Sequence, residues 1–137
     1  MKNKVIKFAF VLTILFTMNS IGTKIYSQSD NFIIGKWKME KSTFNEKDSP
    51  VPEGVIMEFH SDKRITMLIP NSNNTGKTLK GQGKWLKENK RIKITWNEPD
   101  LFGTELNWTI LELTKSKLIW KSEMNGGIQR EKLKKIK

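Results

Sequence analysis

The sequence predicts an all-β chain of eight antiparallel strands in up-and-down order, closed into a barrel. Three observations carry this. From Ile33 onward the apolar residues recur with period two, as in "VIMEFH" (55–60), "RIKITW" (91–96) and "ELNWTI" (105–110), the pattern of strands buried on one face. The same runs are rich in β-branched and aromatic residues, which suit a pleated surface. Short polar links separate them, and strands joined by so few residues have to lie antiparallel to one another.

In order, the strands are expected near 34–40, 54–60, 64–69, 79–87, 91–97, 104–113, 117–124 and 128–135. In the second, Val55, Met57 and Phe59 share a face, with Glu58 and His60 opposite. "HSDKR" (60–64) turns the chain into the third, and "KENKR" (87–91) joins the fourth and fifth. Ile92, Ile94 and Trp96 then alternate with Lys93 and Thr95, and "NEPDLFG" (97–103) leads on to Leu106, Trp108 and Ile110. "TKSK" (114–117) precedes Leu118 and Trp120, and "MNGG" (124–127) precedes the last strand. Two links are long. "IPNSNNTGKT" (69–78) is polar and flexible in composition. In "KSTFNEKDSPVPEG" (41–54), Pro50 and Pro52 exclude regular pairing, and one helical turn could fit at 44–50. Closing eight such strands removes both exposed sheet edges.

Ahead of this domain, residues 1–27 have the layout of a secretory signal peptide. Lys2, Lys4 and Lys7 are followed by "FAFVLTILFTMNSIG" (8–22) and then by a small residue, Ser27. The apolar stretch is short for a membrane span. The expectation is an exported protein, periplasmic or extracellular, with residues 28–137 as one mature domain and no membrane span after cleavage. The chain has no cysteine, which excludes disulfides, thiolate metal sites and cysteine nucleophiles. Its formal charge is +11, and the leader holds four lysines and no acids, so the mature domain carries 11 − 4 = +7. That balance favours anionic partners. Export and the scatter of lysines over every strand argue against nucleic acid.

"GKWKME" (35–40) opens the first strand, and Gly-Lys-Trp returns at 83–85. The first triplet, directly after a leader and before seven more strands, resembles the Gly-X-Trp motif that opens the barrel of lipocalins. The likeness is closer to the short lipocalin-like domains of exported bacterial proteins, where a second Gly-X-Trp is familiar; Gly83 and Trp85 match it. The resemblance implies that Trp37 closes one barrel end and that Gly35 lets the chain bend beside it. It also implies that an arginine of the last strand packs across the indole, and Arg130 in "GGIQREKL" (126–133) stands at the matching place. Such stacking contributes about 0.5–2 kcal/mol. The Asp- and Tyr-bearing middle motif of larger lipocalins is not evident, which argues against a large open cup.

Little in the sequence points to an enzyme. His60 is the only histidine, so histidine-cluster metal sites are excluded, and alternation turns it outward. Asp62 belongs to a hairpin turn. Glu53, Glu58, Glu105 and Glu112 form no acid–base pair. No metal and no cofactor are expected. The candidate ligand-contacting residues for a small hydrophobic molecule are the inward Met57, Phe59, Met67, Trp85, Trp96, Trp108 and Trp120, although an eight-stranded barrel is only just wide enough for its own side chains or one small ligand. Two function classes follow: a non-catalytic carrier with a hydrophobic interior, or an envelope protein-interaction or inhibitory module with a packed core. The second would use the loops at 41–53 and 70–79 and the basic end "REKLKKIK" (130–137).

Overall fold

The computed structural model describes residues 31–70, 75–103 and 105–137; the leader at 1–27 lies outside them. Among the described residues nine strands are present: β1 (Gly35–Phe44), β2 (Lys47–Ser49), β3 (Ile56–Phe59), β4 (Arg64–Ile69), β5 (Leu79–Glu88), β6 (Arg91–Trp96), β7 (Glu105–Leu113), β8 (Lys117–Met124) and β9 (Gly127–Ile136). One helical turn, α1 (Pro99–Phe102), lies between β6 and β7. From β3 to β9 each strand pairs antiparallel with the next, and β9 pairs with β1 to close the ring. The expected eight-stranded up-and-down barrel is therefore observed.

The ninth strand, β2, is an addition to the first stave. β1 runs to Phe44, four residues beyond the expected end, and Asn45 and Glu46 at φ 48° and 66° turn it back into β2. Residues Gly35–Lys38 of β1 pair with β3, whereas Ser42–Phe44 pair with β2. The two short strands share one side of β1, and the proline-bearing stretch between them is unpaired. The turn of helix considered for 44–50 is thus a hairpin. A bulge explains why the alternation failed to show it. Met39 pairs with Leu133 and Lys41 with Lys132, leaving Glu40 as an extra residue. The inward set therefore shifts from Trp37 and Met39 to Ser42 and Phe44. Leu111 is a second extra residue, between Ile110 opposite Trp120 and Glu112 opposite Ile119.

The inward residues form one core: Ile33, Trp37, Met57, Phe59, Ile65, Trp85, Ile92, Ile94, Trp96, Trp108, Ile110, Leu118, Trp120 and Leu133. Among the described residues no helix is long and apolar enough to cross a membrane.

Candidate functional site

The barrel has a floor, a packed trunk, a mouth and an outer face, each with its own chemistry. At the floor Trp37 is fully buried and donates its indole N–H to the Ile33 carbonyl at 2.8 Å. The cation over its ring is Lys135, with Nζ 5.2 Å from the ring centroid and 2.8 Å from the Phe32 carbonyl it donates to. Arg130 is not there. It pairs with Thr43, Lys135 pairs with Trp37, and Arg130 belongs to the outward-facing set of β9. The role assigned to Arg130 passes to Lys135 because only the odd-numbered residues of β9 point inward and Lys135 is the one level with the floor. Burial pushes the Lys135 ammonium below its ordinary value. Gly35, at φ +130°, makes the arrangement possible: a Cβ there would stand 2.6 Å from Lys135 Cε.

In the trunk the seven candidate ligand-contacting residues all face inward, as expected, and four of their rings pack on one another, while Trp96 packs on Phe102 of α1. Phe59 meets Trp85 edge-on at 5.5 Å and Trp120 at 6.0 Å, and Trp108 stacks on Trp120 at 4.6 Å. Met57, Phe59, Trp85, Trp96, Trp108 and Trp120 are buried, and Met67 is half-buried beside them. These are contact distances for aromatic pairs. The second glycine triplet has a separate cause: a Cβ on Gly83 would collide with the Thr95 carbonyl across the ladder, so β5 and β6 approach more closely there than a side chain permits.

Toward the mouth a polar cluster enters the interior. Glu131 is 5% exposed and accepts the Trp120 indole N–H at 2.9 Å and the Gln129 amide at 2.5 Å. Desolvation holds its carboxyl above the ordinary range, against the pull of those two donors. Ser42 and Ser122 are buried nearby, Ser42 beside Gln129 at 3.5 Å and Ser122 donating to the Asn107 carbonyl at 2.6 Å. The sequence signal for Glu131 and Lys135 is alternation to either side of Leu133, which turns both inward, but the basic composition of "REKLKKIK" obscures it. Phe102 lies in a segment whose composition reads as a plain link.

His60 is at the tip of β3, half-buried, with Nε2 3.1 Å from Thr66 Oγ1 and Nδ1 3.9 Å from Glu58. Its backbone carbonyl accepts the Trp85 indole N–H at 3.1 Å. Asp62 accepts from the Arg64 backbone N–H at 3.2 Å and from its guanidinium at 2.6 Å, the expected turn role. Arg64 holds that carboxyl below the usual range. Among the described residues no group of three His, Cys, Asp or Glu could hold a metal.

The outer face of β1, β9 and β8 carries rows of like charge. Lys134 pairs with Lys38 on one side and Lys117 on the other, Lys132 pairs with Lys41, and Arg130 pairs with Lys121. Acids answer part of this: Asp48 lies 3.3 Å from Lys41, Glu112 2.7 Å from Lys117 and Glu40 3.7 Å from Lys132. Lys38, Lys121, Arg130 and Lys134 have no carboxylate within 4.0 Å among the described residues. A groove of about 780 Å³ runs over this face, lined by Lys41, Lys121, Arg130 and Lys132 with Thr43, Ile119, Ile128 and Glu131, and bounded by Asn45 and Glu46 of the β1–β2 turn.

Comparison with known proteins bears on the fold. The chain is similar to a lipocalin-like protein from Bacteroides uniformis (TM-score 0.61, 14% identity, covering 77% of this chain and 99% of that one). An uncharacterized protein from Bacteroides eggerthii gives a TM-score of 0.59 at 16% identity, covering 76% and 99%. A redesigned β-barrel gives 0.53 at 16% identity, covering 80% and 96%. No family model matches the chain. No curated protein matches it either. The fold is that of the lipocalin-like barrels.

Proposed function

We propose that this chain is an exported, non-catalytic lipocalin-like barrel that works from its outside, docking an anionic partner of the cell envelope on the β1–β9–β8 face. The observation that carries this reading is the row Lys38–Lys134–Lys117 with the pair Lys121–Arg130 beside it. Like charges directly opposite one another destabilise a sheet. An anionic partner converts that repulsion into attraction, and the groove beside it supplies apolar area from Ile119 and Ile128. The carrier reading has less support, because four of the five rings that would grip a hydrophobic ligand hold one another at 4.6–6.0 Å and the fifth, Trp96, is covered by Phe102.

The test is binding to poly-glutamate as a defined anionic probe, at roughly 50 mM and 500 mM salt, with screening lengths near 14 and 4 Å. Binding at low salt that is lost at high salt, and lost in Lys121→Gln/Arg130→Gln/Lys134→Gln at either salt, is the expected result. Equal binding by the triple variant refutes the surface. Quenching of tryptophan fluorescence by lipids, haem or bile salts, with no poly-glutamate binding, would return the function to the interior.

A further inference from the structure

The basic outer face is not uniform along β9. The outward residues Ile128, Arg130, Lys132 and Lys134 follow one another at two-residue steps of about 6.7 Å, and each is level with residues of β1 and β8. At the first rung Ile128, 45% exposed, lies opposite Glu123 on one side and is bonded to Asn45 on the other. The second rung is Thr43–Arg130–Lys121, the third Lys41–Lys132–Ile119 and the fourth Lys38–Lys134–Lys117.

Acids of the face divide these rungs further. Asp48 answers Lys41 at 3.3 Å and Glu40 answers Lys132 at 3.7 Å, so the third rung is close to neutral. Arg130 and Lys121 at the second, and Lys134 and Lys38 at the fourth, have no carboxylate within 4.0 Å among the described residues. From one end to the other the face is therefore apolar with an acid beside it, then cationic, neutral and cationic. The two cationic rungs are four residues apart, about 13 Å along the strand. A helix covers four residues in only about 6 Å, so carboxylates at that separation on a helical partner reach one rung and miss the other. A lipid surface or a repeating polyanion presents the same charge at every step and would set negative groups against Glu123 and Glu46 at the first rung. A chain whose side chains differ from step to step, at strand spacing, fits all four.

We propose that the partner docked on this face is a polypeptide segment in extended conformation lying along β9. Its apolar side chain rests on Ile128, a carboxylate two residues on meets Arg130 and Lys121, and a second carboxylate four residues further meets Lys134 and Lys38. The proposal rests on the docking function put forward above and adds to it the partner's conformation, spacing and polarity.

Titration of the full chain with capped seven-residue peptides, followed in ¹⁵N–¹H spectra, tests this. The matched peptide has leucine first, glutamates third and seventh, and serines elsewhere. In its isomer the glutamates are fifth and sixth, so an extended chain turns only one of them toward the face, over the neutral rung. The matched peptide should bind about threefold to tenfold more tightly, the difference made by two exposed ion pairs. Ile128→Ser should weaken the matched peptide about threefold and leave a serine-first version unchanged. A nitroxide at the leucine end should broaden the Ile128 amide more than that of Lys134. Equal affinity of the two isomers, or equal broadening at both ends, overturns the proposal. If poly-glutamate still binds in that case, the docking face stands and only the register falls; if poly-glutamate does not bind either, both fall. Binding of phosphatidylglycerol vesicles with neither peptide bound also overturns it and gives the face to a lipid surface.

Discussion

The floor of the barrel makes a quantitative prediction about why Gly35 precedes Trp37. Two costs are combined in Gly35→Ala. The backbone at φ +130° is strained for any residue with a Cβ, about 1–3 kcal/mol. The new methyl, 2.6 Å from Lys135 Cε, must also push that side chain off the Trp37 ring and away from the Phe32 carbonyl. Those contacts together are worth about 1–2 kcal/mol for a half-exposed lysine. Gly35→Ala is therefore expected to cost about 2–5 kcal/mol and Lys135→Ala about 1–2, each kcal/mol lowering the melting temperature by roughly 4–8 °C. The double variant loses the lysine contacts once rather than twice. It should be more stable than the sum of the single effects by about 1–2 kcal/mol, far above the scatter for independent sites. Urea unfolding of all four proteins gives the coupling. If the two effects add, Gly35 answers only to backbone geometry and the clearance argument is wrong.

Arg130→Ala should change stability by less than about 0.5 kcal/mol, because Arg130 is on the exposed face and not over Trp37; an effect as large as that of Lys135→Ala contradicts the assignment. His60→Ala should be similarly mild, since the bond to Trp85 uses the His60 backbone. Glu131 sets a pH dependence. Its native carboxyl, raised by burial above the ordinary value of 4.5, keeps a proton that the unfolded chain has released. Its contribution is thus complete below pH 4.5 and is lost as pH rises through the native value. Urea midpoints should fall across that window in the parent chain and less steeply in Glu131→Gln; an unchanged slope refutes the assignment.

The strand count and the inward set were legible because period two holds wherever no bulge interrupts it. From Val55 to Phe59 and from Ile92 to Trp96, each residue expected inside is inside. Legibility stopped at Glu40, where one extra residue reverses the parity and turns a strand into an apparent polar loop. It stopped again at the Trp37 cation, for which residue type was a poorer guide than register. Arg130 has the more suitable chemistry, but Lys135 is opposite Trp37 in the ladder. Phe102 was hidden for another reason. Its place depends on Gly81, where a Cβ would stand 2.7 Å from its ring; the two are distant in sequence, and neither periodicity nor turn chemistry links them.

The charge rows separate stability from function more sharply than net charge can. On β6 and β7 this sheet places opposite charges within reach: Lys93 Nζ lies 3.1 Å from Glu105. On β1, β9 and β8 it does the reverse, setting Lys134 between Lys38 and Lys117. A cross-strand charge pair is worth roughly 0.2–1 kcal/mol of either sign. Lys134→Glu replaces two repulsions by two attractions and should stabilise the barrel by about 1–3 kcal/mol, read as a higher urea midpoint with an unchanged slope. The same change places a carboxylate in the middle of the proposed docking face, so affinity for poly-glutamate should fall as stability rises, the trade-off expected where a surface serves binding at the expense of stability. A variant that gains stability and keeps its affinity would mean that the face is merely solvated, and one that loses stability would mean that the lysines are not in repulsive contact at all.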